Sequence, residues 1–174
     1  TIKINPNGNV AWQNTYNFGT DDEGNDLIVD VSGNVYVCGT SKPANTDNEY
    51  VVVKYNSGGT EQWNTRLHLT DKQNEVRKMC FDSFGNIVVT GRGMTDEHGY
   101  DFFTVALDES GVEQWRDNYD GDDHGDDGAQ DIAADANGNI YVTGTALINE
   151  EVQTITIKYR SDYFTVPKGT DTPA

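Results

Sequence analysis

The sequence predicts an all-β fold made of repeated four-stranded units, and three observations lead to this fold class. The turn pattern Asp-x-x-Gly-Asn occurs three times, with spacings of 52 and 53 residues between its first positions: Asp30, Asp82 and Asp135. Tryptophans recur almost in step, with spacings of 51 and 52 residues: Trp12, Trp63 and Trp115. The runs between these landmarks are short and apolar or alternating, and none has the period of a helix. Such a repeat indicates an array of small antiparallel sheets.

Each unit consists of two predicted hairpins, whose strands are named a, b, c and d in chain order. Strand a leads into Asp-x-x-Gly-Asn, where the aspartate accepts hydrogen bonds from the turn backbone and the glycine supplies positive φ. Strand b follows and ends on a glycine, which indicates a bulge or a close approach of two backbones: Gly39, Gly91 and Gly144. After a variable polar connection comes strand c, and a second turn leads to strand d with its tryptophan. Strands a are predicted over residues 26–30, 78–82 and 131–135, and strands c over residues 50–56, 102–108 and 154–160.

The repeat divides residues 1–160 into a half-unit, two complete units and an incomplete unit. Residues 1–20 supply only strands c and d, residues 21–70 and 71–120 are complete, and residues 121–160 supply a, b and c. Pro167 falls where a fourth tryptophan belongs. Because proline cannot donate to a strand ladder, a regular strand d is not expected there. We interpret residues 161–174 as a linker or tail.

One four-stranded sheet has two faces to cover and is not stable alone. Stacking neighbouring sheets around an axis covers both faces, and this arrangement is a β-propeller. Propellers need about four to eight blades, whereas this chain supplies about three and a half repeats of about 52 residues. Three arrangements remain open: a fragment of a longer propeller, a ring shared by several chains, or half-blades that add to neighbouring molecules as strands.

The segments DVSGNVYVCGTS, DANGNIYVTGT and VVVKYNSGGTEQW resemble the SBBP-type β-propeller repeat. The resemblance extends from Thr1 to about Tyr159. It implies a propeller blade for each unit and a secreted or cell-surface bacterial protein, because the family occurs chiefly there. It implies no activity, since the family is named for its architecture. The second complete unit departs from the pattern, with Val88 in place of tyrosine and Ala106 and Leu107 in place of Lys-Tyr.

The net charge of -17 excludes two classes of partner. An acidic surface repels phosphate backbones and anionic lipid, so neither nucleic acid nor a membrane surface is expected to bind. The same charge favours solubility and attracts cations. No apolar run approaches the ~20 residues of a membrane helix. No signal peptide is visible at Thr1 and the initiator Met is missing, which indicates a mature or excised segment.

Cysteine and tryptophan each have a packing and a chemical interpretation. Cys38 and Cys80 lie in apolar runs without metal-ligand spacing, so buried free thiols are expected, although a disulfide remains open if the Cα atoms lie within about 7 Å. The tryptophans could stack on sugar rings, but their identical place in each repeat favours packing between adjacent blades. Tyr36 and Tyr141 of strand b receive the same interpretation.

The acidic run Asp120–Asp131, DGDDHGDDGAQD, is the candidate metal site. Read as a calcium loop that folds around a glycine, it offers these ligands: Asp120, Asp122, His124, Asp126 and Asp131. The match is imperfect, because histidine is a poor calcium ligand and Asp131 already has a place at the start of strand a. A solvated connection between strands d and a is the alternative interpretation.

No arrangement of residues for catalysis emerges from the sequence. The three histidines, His68, His98 and His124, lie in separate connections, and neither zinc spacing nor a Ser-His-Asp triad can be assembled. The glycines occupy hairpin turns rather than a phosphate-binding loop. We therefore expect no catalytic residues and no required cofactor.

The predicted function is that of a non-catalytic extracellular structural or recognition module. It would assemble with copies of itself as a filament or ring, join neighbouring domains of a longer chain, or display loops to a protein or glycan. The expected display loops are the variable b-to-c connections, residues 41–49, 93–101 and 146–153. Two alternatives remain: a polysaccharide hydrolase or lyase that uses loop carboxylates, and an adhesion module stabilised by calcium.

Overall fold

The computed structural model describes residues 1–95 and 99–160, in which every regular element is a β-strand. Sheet 1 contains β1 (Ile2–Ile4) and β2 (Val10–Gln13). Sheet 2 contains β3 (Asp21–Val29), β4 (Val35–Lys42), β5 (Glu49–Tyr55) and β6 (Glu61–Leu67). Sheet 3 contains β7 (Asn74–Phe81), β8 (Ile87–Thr95), β9 (Gly99–Leu107) and β10 (Glu113–Tyr119). Sheet 4 contains β11 (Gly128–Ala134), β12 (Ile140–Ile148) and β13 (Glu151–Tyr159).

All four sheets are antiparallel meanders, so each strand pairs with its neighbours in the chain. The predicted all-β class is confirmed, and the strands occur in the predicted order a, b, c, d. No helix in the described ranges is long and apolar enough to cross a membrane. His98 and the predicted tail at residues 161–174 lie outside the described residues.

The hairpin turns close through local side-chain chemistry. Asp30 Oδ1 accepts the N–H groups of Ser32 at 2.8 Å and Asn34 at 2.9 Å. Gly33 supplies the left-handed position, with φ 79°. The same pair of bonds, to the second and fourth residues on, recurs at the five other turns: Asn5, Asn56, Asp82, Asp108 and Asp135. Aspartate or asparagine at this position therefore stabilises each of these six hairpin turns through contacts within the turn itself.

The glycine that ends strand b allows the close backbone approach that the sequence predicts. A Cβ at Gly39 would collide with the carbonyl oxygen of Glu23 on β3. The pairing of β3 with β4 shifts by one residue between Gly24 and Asp26, so the bulge lies on strand a, opposite the glycine. Equivalent shifts occur at the start of β7 and of β11.

Consecutive sheets stack face to face, and buried side chains fill each junction. The forward face of a sheet is the face toward the next sheet in chain order, and the rear face is the opposite one. The inner strands touch in succession, β3 with β7 and β7 with β11. Between sheets 2 and 3, Cys38, Tyr50 and Val52 of the forward face pack with Val89 and Val105 of the rear face. The core is therefore a series of inter-sheet layers.

Each tryptophan joins its sheet to the next one. Trp12 Nε1 donates to Ser57 O at 3.2 Å, and Trp63 Nε1 donates to Glu109 O at 3.1 Å. Both acceptors lie in the turn between strands c and d of the following sheet. Trp115 packs against Tyr159 of sheet 4, with ring centroids 5.3 Å apart. The predicted packing role of the tryptophans is confirmed by these contacts.

The cysteines are free thiols in different junctions, as the packing interpretation predicts. Cys38 is buried between sheets 2 and 3, and Cys80 is half-buried between sheets 3 and 4. Burial raises the pKa of each thiol to about 12, so neither is a thiolate near neutral pH.

Two of the predicted display loops are shorter than expected. β8 continues to Thr95 and β9 begins at Gly99, while β12 and β13 are separated only by Asn149 and Glu150. Both turn residues have positive φ, 53° and 62°, which suits a two-residue hairpin turn. The sequence analysis assigned these strand ends to loops because they include polar residues, such as Arg92 and Thr95 of β8 and Glu151 and Gln153 of β13.

Candidate functional site

The rear face of sheet 1 is an uncovered apolar surface. Ile2, Ile4 and Val10 share this face, because Ile2 pairs with Gln13 and Ile4 with Val10 across the hairpin. Their side chains are 55%, 55% and 56% exposed. Three large apolar residues left on one face of a two-stranded sheet indicate a surface that another element covers.

The same positions are covered in the other sheets. Lys3 corresponds to Lys54, so Ile2 and Ile4 correspond to Val53 and Tyr55 of sheet 2. Val53 and Tyr55 are 3% and 1% exposed, because Trp12 of the preceding sheet packs on them. Sheet 1 thus has the rear face of an interior sheet but no described sheet behind it.

The turn of sheet 1 is also uncovered, whereas the corresponding turns of sheets 2 and 3 each lie under a tryptophan. A Cβ at Gly59 would come within 3.0 Å of Trp12 Cβ, and a Cβ at Gly111 would lie 2.8 Å from Trp63 Cε3, because each turn lies under a tryptophan. A Cβ at Gly8, the corresponding glycine of sheet 1, would meet nothing within 4 Å among the described residues. The backbone geometry of the three turns is nearly the same, with φ between 81° and 87°.

The forward face of sheet 4 has the residues of a junction. Lys158 Nζ lies 5.4 Å from the Tyr141 ring centroid, and in sheet 2 Lys54 Nζ lies 5.0 Å from that of Tyr36. Lys54 also donates to Glu109 O of the following sheet at 3.2 Å. Lys158 therefore lies over its tyrosine as Lys54 does, and Lys54 in that position contacts the turn of the following sheet.

A threonine pair on this face repeats one that is buried elsewhere. Thr156 Oγ1 lies 3.2 Å from Thr143 Oγ1, and the corresponding hydroxyls of Thr90 and Thr104 lie 3.0 Å apart. Thr90 and Thr104 are fully buried between sheets 3 and 4, whereas Thr156 is exposed. Because the paired hydroxyls satisfy each other, they are compatible with burial under another sheet.

The acidic run between β10 and β11 is the second candidate site. Its carboxylates hold backbone groups of two sheets together. Asp123 Oδ2 accepts the N–H of Glu150 at 2.6 Å, and Asp126 Oδ1 accepts that of Tyr100 at 3.2 Å. Part of the acidic run is therefore explained by local hydrogen bonding.

The five predicted calcium ligands do not all meet. Asp120 Oδ2 lies 2.6 Å from His124 Nδ1. Asp122 is exposed, and Asp126 bonds to the start of β9. Asp131 lies on β11, where its carboxylate accepts the N–H of the next residue at 3.0 Å. The structure thus brings Asp120 and His124 together, and gives Asp126 and Asp131 separate contacts.

A different set of carboxylates converges among the described residues. One oxygen from each of Asp101, Asp120 and Asp127 lies within 4.8 Å of the others. Asp101 and Asp127 are 3% and 2% exposed, whereas the Asp120 side chain is 22% exposed, so two of the three carboxylates are buried. Three carboxylate oxygens, with carbonyl groups and water, are the chemistry that calcium prefers.

The pKa values in this region reflect the crowding of acidic groups. Burial raises the pKa of Asp127, and the charges of Asp120 and Asp126 raise it further, although N–H donors from Leu147 and Gly121 oppose the shift. The hydrogen bond to Asp120 raises the pKa of His124. A bound cation would favour the ionised carboxylates.

The sequence missed two members of this group for different reasons. Asp127 corresponds to Asn74 and Asp22 in the repeat, and those residues also bond to nearby loop or strand groups at the start of strand a. An alignment of the repeat units would therefore have identified Asp127 as a residue that bonds to neighbouring groups. Asp101 lies on β9, and its distance along the chain from Asp120 gave no local spacing to detect.

No protein-family model matches the chain, and no curated protein matches it. The two uncovered faces and the acidic group are therefore the features that bear on function.

Proposed function

We propose that the chain is a non-catalytic structural and recognition module that stacks head to tail with copies of itself. In this arrangement the forward face of sheet 4 packs on the rear face of sheet 1 of the next copy, and the series of sheets continues as a propeller-like ring or a filament. The two surfaces differ from each other, so the contact is heterologous. The rotation at each contact decides between closure and open growth.

One observation carries this proposal: Ile2 and Ile4 are 55% exposed, whereas Val53 and Tyr55 at the same positions of sheet 2 are 3% and 1% exposed. Covering two such side chains stabilises an association by several kcal/mol before the cost of ordering two molecules, at roughly 25 cal/mol per Å². Lys158 is placed to donate to the turn that contains Gly8, as Lys54 donates to the corresponding turn of sheet 3.

The charge of the chain modulates this association. Two copies that each carry -17 repel each other, so the contact forms more readily as salt screens the repulsion. Self-association is therefore expected to strengthen between about 0.02 M and about 0.5 M salt, which is opposite to an assembly held by ion pairs.

The test is the molar mass in solution, measured by light scattering over a range of protein concentrations and salt. Ile4→Asp is expected to abolish the association, because it places a carboxylate in the covered face. Val112→Asp is the matched control, since Val112 is 57% exposed on an outer turn, and its mass profile should equal that of the parent chain. A chain that is monomeric at all concentrations and salt levels would refute self-assembly.

We also propose an extracellular or cell-surface location, which the resemblance of the repeat supports. We propose no enzymatic activity, because the sequence offers no pattern of catalytic residues. The described connection at residues 43–48 is the longest of the b-to-c loops and is the best candidate for display to a partner. Turnover of any member of a glycan panel, lost when loop carboxylates are substituted, would favour the hydrolase or lyase alternative instead.

A calcium ion held between sheets 3 and 4 is a second proposal. The convergence of Asp101, Asp120 and Asp127 favours it, together with the raised pKa of Asp127. Such an ion would join β9 to the loop before β11 and so stabilise that junction. Isothermal titration with calcium alone tests it, and Asp120→Asn is expected to remove the binding.

A further inference from the structure

The edge of β1 is an unfilled strand position. In sheet 2 the corresponding strand, β5, lies between β4 and β6, and in sheet 3 β9 lies between β8 and β10. β1 pairs only with β2 within the described part of the chain. Among residues 1–95 and 99–160, no inner hairpin, that is, no strands a and b, pairs with sheet 1, and the backbone groups of β1 form a free edge.

A cleft occupies the place where that hairpin would lie. Its volume is about 220 Å³. It is lined by Thr1 beside β1, by Gly39 and Thr40 of β4, and by Val51 and Val53 of β5. The cleft thus lies against sheet 2 and reaches Thr1, the residue before β1.

The part of the rear face of sheet 2 that β3 forms is apolar and uncovered. Leu27 and Val29 on β3 are 54% and 53% exposed. The residues that correspond to Leu27 in sheets 3 and 4, Met79 and Ile132, are only 4% and 8% exposed, because the inner hairpin of the preceding sheet covers them. Leu27 is therefore exposed where no described inner strand of sheet 1 covers it.

We propose that this site binds a β-hairpin of the same kind as the inner hairpins of the repeat, supplied by a separate segment of polypeptide. Its strand b pairs antiparallel with β1, as β4 pairs with β5. Its forward-facing apolar side chains cover Leu27 and Val29. They are the equivalents of Ile28 and Tyr36 of sheet 2, which pack against sheet 3 in the same way. Main-chain hydrogen bonds supply affinity, and alternate side chains supply specificity.

The junctions also define one polar requirement of the ligand. Asp26 at the start of strand a accepts the Met79 N–H at 3.1 Å, and its carboxylate lies 3.6 Å from Lys78 Nζ. The corresponding N–H in sheet 2 belongs to Leu27. A hairpin that begins with aspartate and turns through Asp-x-x-Gly-Asn therefore fits the site.

A second copy of the chain is a poor source for this hairpin. The three strands b, β4, β8 and β12, are each already paired on both sides. Releasing β12 from β13 would exchange a nine-residue ladder for pairing with the three-residue β1. The inference goes beyond the head-to-tail contact, because it concerns the edge of β1 and the rear face of sheet 2 rather than the rear face of sheet 1.

The first experiment uses a synthetic peptide of residues 24–42 with Cys38→Ser, titrated into the full chain and followed by backbone NMR. The expected result is a saturable set of shifts confined to β1, β3 and the cleft. In Leu27→Asp the affinity should fall at least about tenfold, since a carboxylate is then desolvated under the hairpin. Val31→Asp is the matched control, because Val31 is fully exposed in the neighbouring turn and its affinity should not change.

A second experiment avoids the free peptide, because an isolated hairpin is only marginally stable in water. The same segment is fused before Thr1 through a Gly/Ser linker of about ten residues. The fusion should raise the melting temperature and slow hydrogen exchange at the β1 amides. The same fusion with proline at the position of Val37 should do neither, because proline interrupts the strand that pairs with β1.

The inference is overturned if neither the peptide nor the fusion changes the β1 amides. It is also overturned if sedimentation shows a dimer of the chain that Leu27→Asp abolishes, since a second copy would then cover the site. That second outcome leaves self-assembly standing. Conversely, a chain that never self-associates but binds the hairpin refutes the head-to-tail contact alone.

Discussion

Substitution of two glycines in sheet 3 separates backbone strain from packing between sheets. Gly85 and Gly111 both lie in hairpin turns with left-handed backbone, at φ 85° and 81°. A Cβ at Gly85 would meet nothing within 4 Å, whereas one at Gly111 would lie 2.8 Å from Trp63 Cε3 and 2.8 Å from Thr65 Oγ1. Alanine at either site carries the same left-handed strain, about 1–2 kcal/mol.

Gly111→Ala carries two further costs. Moving the Trp63 ring out of its contact resembles overpacking, which costs about 1–3 kcal/mol. The bond from Trp63 Nε1 to Glu109 O, at 3.1 Å, is then weakened, at a net cost of about 1 kcal/mol. Gly111→Ala is therefore expected to be less stable than Gly85→Ala by about 2–4 kcal/mol.

The assay is urea unfolding followed by far-UV circular dichroism, with tryptophan fluorescence as a second probe. Coincident transitions from the two probes license a single free energy of unfolding for each variant. If the two variants are equally destabilised to within about 0.5 kcal/mol, the tryptophan does not hold the turn and the account of the junction is wrong.

Three further predictions concern ionisable groups. The hydrogen bond from the Asn139 side chain holds the pKa of Asp135 below its usual 3.8. The ionised carboxylate therefore stabilises the fold above pH 3.8, and this stabilisation is lost as the pH falls through the pKa of the folded state. On acidification the urea midpoint should fall less for Asp135→Asn than for the parent chain. Thermal melts with calcium and with chelator should differ for the parent chain and coincide for Asp120→Asn; coincident melts of the parent would remove the calcium proposal. Since burial raises the pKa of Cys38 to about 12, a thiol reagent should label it only after unfolding, and rapid labelling of the native chain would contradict its burial.

The strands and turns follow from local chemistry, which is why the sequence predicts them well. Asp30 and Gly33 close their hairpin through contacts within five residues, and the same residue types do so in every unit. The packing of the tryptophans can also be predicted from the sequence, because a residue that recurs once per unit in the same register has the same surroundings in each unit. Both features depend only on neighbours that the repeat itself specifies.

The acidic group and the short connections depend on contacts between units, and these leave weaker traces. Asp101 and Asp127 come together only because β9 and the loop before β11 belong to adjacent sheets. The two-residue turn at Asn149 uses a glutamate at positive φ, which turn statistics disfavour. Asp123 holds that turn by accepting the Glu150 N–H, a contact across 27 positions of the chain.

The junction between a tryptophan and the next glycine turn has a consequence for the size of the protein. Trp12 on Gly59 and Trp63 on Gly111 are the same contact made twice, and each involves only adjacent units. Removing or duplicating one unit of about 52 residues therefore preserves the type of contact that a tryptophan makes with the next turn. Proteins built this way can change length by whole units during evolution without redesigning their cores, and their stability should rise with each unit gained.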